Sequence, residues 1–336
     1  MSSDPVLDVR DLHVEIPTRR GVVHAVDGAS FTLERGDVLG LVGESGCGKT
    51  MTLRAILGLL PRPAHVVSGE VLYDGVDLVR ASKATLRDVR GRAISFIFQE
   101  PMTALNPVMR VGDQIAEGPQ RHVGYSRTEA RARALELMRL VGIPDPERRA
   151  QAWPHELSGG MRQRVMIAIA LSCGPKVILC DEPTTALDVT IQDQILKLLL
   201  ALRDEFGVSL VFVTHDLAVV AQTCKSLAVM YAGQVIETGS VAEVFREPHH
   251  PYTLGLLRSV PDFENVLDEL AQIPGAPPDL VSPPSGCRFH RRCAFVREDC
   301  RSGEFPLRRH GERATACIHH EACVASVREH AVISGG

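Results

Sequence analysis

No apolar run in this chain approaches the ~18 residues that a membrane-spanning helix needs. The longest stretches, VMIAIALSC and LKLLLAL, fall well short, so attachment to a membrane is expected to come through a partner. The start, MSSDPVLDVRDLH, lacks the basic and then apolar profile of a signal peptide, and the expected compartment is the cytosol. An excess of positive charge is missing too. Lys and Arg number 37 against 41 Asp and Glu, a net charge of -4, so there is no overall basic field of the kind that nucleic-acid binding usually needs. Internal repeats are absent. In a reducing compartment the nine cysteines are not expected to form disulfides.

What is present is an ordinary globular balance, 45% hydrophobic and 23% charged, which permits a sizeable core and argues against disorder. At 336 residues the chain exceeds one average domain. Residues 6 to 42 read as short β segments with glycine-containing turns. TLRAILGLL has helical spacing and stops near Pro61. From about 100 to 165 the pattern is helical and rich in Arg and Glu, as in SRTEARARALELMRLVG. Strand pattern returns with KVILCDEP, followed by a helix over 190 to 204, the strand VSLVFVTHD and a β pair near SLAVMYAGQVIETG. Strands alternating with helices imply an α/β fold with a mostly parallel sheet. Beyond 246 the composition shifts to Pro, His, Arg and Cys, with PGAPPDLVSPPSG reading as a stiff linker.

Gly43, Glu44, Ser45, Gly46, Cys47, Gly48, Lys49 and Thr50 spell a G-x-x-x-x-G-K-[ST] loop between an expected strand and an expected helix. Glycines there let backbone N–H groups converge on phosphate oxygens at a helix N-terminus. Lys49 is expected on the β- and γ-phosphates of ATP, and the Thr50 hydroxyl on Mg²⁺. A second apolar run, Val177 to Cys180, ends in two carboxylates. Asp181 is suited to hold Mg²⁺, and Glu182 to polarise an attacking water. Taken alone, an acidic turn after a strand is common. Together with a phosphate loop it points to nucleotide hydrolysis.

Leu157-Ser158-Gly159-Gly160-Met161, lying between those two motifs, resembles the signature motif of ATP-binding cassette (ABC) proteins. Gln99 in FIFQEPMTALNP resembles the Q-loop glutamine, Ala186-Leu187-Asp188 the D-loop, and His215 in VFVTHDL the switch histidine. The resemblance implies a P-loop cassette with a mostly parallel sheet core, an antiparallel β subdomain and a helical subdomain. It implies roles for Glu182, His215 and Gln99 in hydrolysis, and for Gln99 beside Thr50 and Asp181 at Mg²⁺. It also implies that Ser158, Gly159 and Gly160 meet the ATP held by a neighbouring cassette. Members usually stack adenine on an aromatic residue before the loop. PTRRGVVHAV has none, leaving Val22 or His24 for that contact.

His250-Pro251-Tyr252-Thr253, IPGAPPDL, GCRFHRRCAFVREDC and ACIHH resemble the C-terminal extension of oligopeptide and dipeptide permease ATPases, with related tails in nickel importers. The expected division is a cassette over 1–245 and an extension over 246–336. Cys287, Cys293, Cys300 and Cys317 follow C-x5-C-x6-C-x16-C, which suits either an iron–sulfur cluster or zinc. C-x2-C pairs and ferredoxin runs are both missing, so preference for [4Fe-4S] over Zn²⁺ comes from the resemblance. Cys323, His290, His319 and His320 are spare ligands. The arginines among them, diluted by acids, read as a solvated face.

The function implied is ATP-driven import through transmembrane permease subunits at the cytoplasmic face of the membrane, with an extracytoplasmic solute-binding protein supplying the cargo. Di- and oligopeptides are the first expectation for that cargo; nickel or another small solute is the second. A second ATPase subunit, related or identical, is expected to complete the motor. The rival class is a non-transport ABC ATPase acting on nucleic acid or ribosomes. Its usual double cassettes, coiled-coil insertions and inserted zinc modules do not occur here, so no nucleic acid is expected.

Overall fold

Apolar runs bounded by glycine turns become buried strands where both faces are covered, and alternating runs become strands covered on one face. The computed structural model describes residues 4–185, 187–259 and 273–334. The chain divides into two compact units. One comprises Met1–Val6, Leu33–Val38 and Arg80–Val213; the other comprises Leu7–Thr32, Leu39–Val79 and Thr214–Gly336.

In the first unit three parallel strands lie side by side, with Val177–Asp181 between Ile94–Ile97 and Ser209–Thr214. Every residue of Val177–Asp181 and of Ser209–Thr214 is buried, as suits the apolar runs Val177 to Cys180 and Leu210 to Val213. Helix Gly159–Leu171 packs on Ile94–Ile97. Val165, Met166, Ile167, Ala168, Ala170 and Leu171 are buried all round it, which marks a central helix. Val111–Gly118 and Arg127–Leu140 pack against it in turn. Arg127–Leu140 opens on a capping box. The Ser126 hydroxyl accepts the Glu129 N–H at 3.3 Å, and the Glu129 carboxylate accepts the Ser126 N–H at 2.8 Å. The helical stretch expected from about 100 is therefore present, and it runs to Leu171.

The second unit has an antiparallel sheet ordered Gly21–Leu33, Leu7–Thr18, His65–Tyr73, Val76–Asp77. Its register shifts between Arg10 and His13, where Asp11 has φ 45°. Gly69 sits beside this bulge at φ 100°, and a Cβ there would fall 2.4 Å from the Asp11 carbonyl oxygen, so no other residue fits. Further strands of the unit run in the order Arg308–His310, Arg313–Thr315, Gln234–Ser240, Ser226–Tyr231, Val38–Val42. The last two are parallel and the others antiparallel.

The extension thus joins this sheet, with Thr315 paired opposite Glu237. Residues 274–286, expected as a stiff linker, lie along the second unit. The His24 N–H donates to the Leu280 carbonyl at 3.0 Å, and Arg292 Nε donates to the Pro274 carbonyl at 2.9 Å. Proline holds the backbone extended whether it crosses a gap or lies along a surface, so composition could not separate the two. Tyr231, Ile236, Val244, Tyr252 and Phe289 form a shared core beneath it.

Candidate functional site

In the second unit the buried strand Val38–Val42 runs into Gly43, and helix Lys49–Ile56 begins at the lysine. The loop between them is shaped by close approach of other backbone. A Cβ on Gly43, at φ 151°, would fall 2.0 Å from the Met230 carbonyl oxygen; one on Gly48, at φ 110°, would fall 2.3 Å from the Ala25 carbonyl oxygen. Ser45 and Gly46 form the exposed tip, while Cys47 and Gly48 are buried and Thr50 half-buried. Lys49 is only 5% exposed. Its ammonium donates to the Gly43 carbonyl at 2.6 Å and to the Glu44 carbonyl at 3.0 Å, holding the charge within the curve of the loop. Burial raises the Cys47 thiol, partly offset by Lys49, so this cysteine is a neutral packing residue.

His215 is exposed on the turn between Ser209–Thr214 and helix Leu217–Thr223. The turn is fixed by Asp216, whose carboxylate accepts the N–H groups of Ala218 at 2.8 Å and Val219 at 3.3 Å. Of the two residues expected at adenine, Val22 is 37% exposed on strand Gly21–Leu33, and His24 on the same strand lies 3.3 Å from the Glu15 carboxylate.

In the first unit Asp181 closes the buried strand Val177–Asp181 and is 2% exposed. Glu182 follows with φ 45°, an uncommon conformation for this residue type and of the sort that clusters at functional sites. Its N–H donates to the Val213 carbonyl at 3.0 Å, which anchors that backbone. Its carboxylate Oε2 accepts from Gln99 Nε2 at 2.9 Å and from the Thr185 hydroxyl at 2.9 Å. Two of the three residues expected in hydrolysis are therefore brought into direct contact from positions 83 apart in sequence. Thr185 was not singled out by its sequence; its place three residues after Glu182 is the one available signal.

Ser158 caps helix Gly159–Leu171, accepting the Met161 N–H at 3.3 Å, and Ser158 and Gly159 are exposed. Gly160 has room for no side chain without pressing on Ile191, 3.0 Å from an added Cβ. Asp188 caps helix Val189–Phe206 through the Ile191 N–H at 2.9 Å. Ala186, of the expected Ala186-Leu187-Asp188 turn, lies outside the described residues.

In the extension, Cys317 lies within electrostatic reach of Cys287, Cys293 and Cys300, though no three of these four sulfurs lie within 4.8 Å of one another. Burial pushes Cys293 up to about 11 and Cys317 up to about 12, and raises Cys287 as well; neighbouring thiols add to each shift. Cys287, Cys293 and Cys317 hold their protons until a cation compensates the thiolates, which is the donor chemistry of a metal or iron–sulfur site. In donor type the residues present fit such a group. Among the described residues, Asp299, Cys300 and His319 form the one set whose ligand atoms lie within 4.8 Å of one another. His319 Nε2 is 2.8 and 2.9 Å from the two Asp299 oxygens. Cys323, the spare cysteine, is fully buried and held up to about 12 by burial.

Residues 26–185 match the ABC transporter family, and residues 236–300 match the oligopeptide/dipeptide transporter C-terminal region. The dipeptide transport ATP-binding protein DppD of Bacillus subtilis is 48% identical over 335 residues, 99% of this chain and 98% of that one. The chain belongs to the ATP-binding subunits of oligopeptide and dipeptide ABC transporters. The oligopeptide transport ATP-binding protein OppD of Bacillus subtilis is 51% identical over 293 residues, 87% of this chain and 82% of that one. Among solved structures, a dimeric post-hydrolysis state of the ATP-binding cassette MJ0796 bound to ADP and Pi aligns with TM-score 0.62 and 28% identity. That alignment covers 70% of this chain and 98% of that one. As an ABC transporter ATPase the chain is an ATP-hydrolysing enzyme, with transmembrane permease subunits as its partners. No helix among the described residues is long and apolar enough to cross a membrane.

Proposed function

We propose that this chain energises uptake of di- and oligopeptides, working peripherally on the cytoplasmic face of the membrane. One observation carries the reading: a cassette and a peptide-permease extension occur together, and the alignment with a dipeptide transport ATP-binding protein spans nearly both full lengths. Nickel import, the second expectation, and nucleic-acid work, the rival class, gain no support from these matches.

Within that reading Gly43 to Thr50 cradle the phosphates of ATP, Lys49 compensates the charge of the terminal ones, and Thr50, Asp181 and Gln99 serve Mg²⁺. Glu182 accepts the proton of the attacking water, with Gln99 and Thr185 holding its carboxylate in place. His215 contacts the γ-phosphate. The helix tip formed by Ser158, Gly159 and Gly160 offers helix N–H groups and their dipole to the ATP of a second cassette. A sandwich of two such subunits, a heterodimer with a related ATPase in preference to a homodimer, closes because nucleotide contacts exist only in the closed state. Hydrolysis separates the charges and reopens it.

Around Gln99 the side chains of Phe98, Met102 and Val108 are 39%, 57% and 77% exposed. Apolar groups that far out of water suit a docked partner, and this segment is where movement passes to the permease subunits. The cargo arrives from an extracytoplasmic binding protein. Cys287, Cys293, Cys300 and Cys317 hold a [4Fe-4S] cluster, with Zn²⁺ as the alternative. When bound, that group supplies the positive charge that keeps the four partly buried sulfurs as thiolates. The chain is thus a cassette over 1–245 followed by a metal-held extension over 246–336.

The test is reconstitution of the subunit with its permease partners in lipid vesicles, measuring ATP turnover and uptake of labelled di- and oligopeptides or nickel. Peptide accumulation that requires ATP supports the proposal. Nickel accumulation without peptide uptake rejects the cargo, and co-purification with nucleic acid in place of permease subunits rejects the class.

A further inference from the structure

The phosphate loop carries a charge of the wrong sign. A triphosphate is strongly anionic, and Gly43 to Thr50 meet it with N–H groups and the Lys49 ammonium, yet Glu44 places a carboxylate on the same loop. Left to its rotamers, that carboxylate would repel the ligand whenever it swung toward the cradle.

The extension takes hold of it. Arg292 donates from both terminal nitrogens to both Glu44 oxygens, at 2.7 Å to Oε2 and 2.9 Å to Oε1, a side-by-side fork. The guanidinium has no slack of its own. Its Nε donates to the Pro274 carbonyl at 2.9 Å, and its terminal nitrogens also reach the Ile273 carbonyl at 3.3 Å and the Tyr231 hydroxyl at 3.4 Å. Five donor contacts thus match the five N–H groups of the fork. It also lies over the Tyr231 and Phe289 rings, 5.8 and 6.0 Å from their centroids, and its side chain is 5% exposed against 27% for Glu44. Hydrogen bonding to Glu44 holds Arg292 above even the usual arginine range.

A second contact fixes the backbone at the same residue. The Glu44 N–H donates to the hydroxyl of Tyr252 at 2.8 Å, and Tyr252 is fully buried against Tyr231 and Phe289, with ring centroids 4.5 and 5.4 Å away. Side chain and amide of Glu44 therefore both face the extension. Neither is turned to the cradle.

We propose that Arg292 is a positioning residue for nucleotide binding: it neutralises Glu44 and holds its carboxylate away from the phosphates, making the C-terminal extension a working part of the ATP site. The inference rests on reading Gly43 to Thr50 as the phosphate cradle. It differs from a mere staple between extension and loop, because a staple acts through folding, whereas neutralisation acts through the Glu44 charge and loses its importance once that charge is gone.

The experiment is equilibrium binding of Mg·ATP to the full-length chain, with melting followed alongside. Arg292→Ala is expected to weaken ATP about tenfold at low salt, equivalent to about 1.4 kcal/mol. The deficit shrinks as ionic strength rises, because like-charge repulsion is screened. Arg292→Lys keeps the charge without the fork and falls between the two; it carries the test should the alanine variant fail to fold. Adding Glu44→Gln to Arg292→Ala recovers most of the loss. Parental affinity in Arg292→Ala overturns the proposal, as does a loss that Glu44→Gln does not relieve, since that is the behaviour of a staple. Lys49→Ala serves as the reference. If it abolishes binding while Arg292→Ala does nothing, the inference alone is wrong; if it binds ATP normally, the cradle reading falls and this one with it.

Discussion

Acid should unfasten the extension at His250, and the size of the effect follows from its surroundings. His250 is 2% exposed and caps helix Pro251–Arg258, with Nδ1 accepting the Tyr252 N–H at 3.1 Å. A ring nitrogen that accepts cannot carry a proton, and burial moves the group from its ordinary 6.5 down to about 3. Below about pH 6.5 the unfolded chain therefore takes up a proton that the folded chain refuses. Stability is whole above that value and is lost as the pH falls toward 3, at about 1.36 kcal/mol per pH unit for this one group. At about pH 5 the loss amounts to roughly 2 kcal/mol. His250→Asn keeps a side-chain acceptor for the helix N-terminus and does not titrate. Denaturant melts of both proteins at about pH 7 and about pH 5 isolate the histidine, because other titrations such as that of buried Glu237 cancel in the difference. The parent should lose roughly 2 kcal/mol more than the variant. Equal losses would refute the reasoning.

Glu237 is fully buried and accepts the N–H groups of His249 at 2.7 Å and His250 at 2.9 Å, with Arg313 at 3.1 Å; Glu237→Ala should cost about 3–5 kcal/mol in melting experiments. Because Gln99 holds the Glu182 carboxylate, Gln99→Ala should lower kcat by about tenfold or more with a smaller change in ATP affinity, read from steady-state turnover and direct binding. Anaerobically purified protein should show visible charge-transfer absorption that Cys293→Ser abolishes; a colourless protein with bound zinc by elemental analysis would favour the alternative metal. Replacing Ser158 by Arg should prevent ATP-driven pairing of two cassettes in sedimentation or light scattering, leaving ATP binding to the isolated chain intact.

Local chemistry explains what could be read in advance. The phosphate loop was legible because each of its constraints is local: Gly43 and Gly48 are the residues that admit the Met230 and Ala25 carbonyls, and Lys49 begins the helix. Val177 to Asp181 was legible because a strand buried on both faces must be apolar until it ends. What escaped was long-range pairing. Arg292 reads as one more arginine in a basic tail, and nothing in its neighbourhood says that its partner is Glu44, 248 positions away. Tyr252 belongs to a motif that marks the family, yet its contact with the loop depends on how the extension lies against the sheet. Thr185 looks like a turn residue and becomes informative only once Glu182 is seen at φ 45° with its oxygen turned toward it. The proline stretch over 274–286 was legible as stiff backbone, but not the surface it lies along, since proline fixes the extended conformation and not what receives it.

The central claim is that this chain is a motor whose chemistry passes through Glu182. Its most direct test is Glu182→Gln in the assembled transporter, with ATP binding and ATP turnover measured on the same preparation. The amide keeps the shape and a hydrogen bond to its neighbours but is a very poor base, so binding should persist while turnover falls by about a hundredfold or more. Undiminished hydrolysis by that variant would contradict the account.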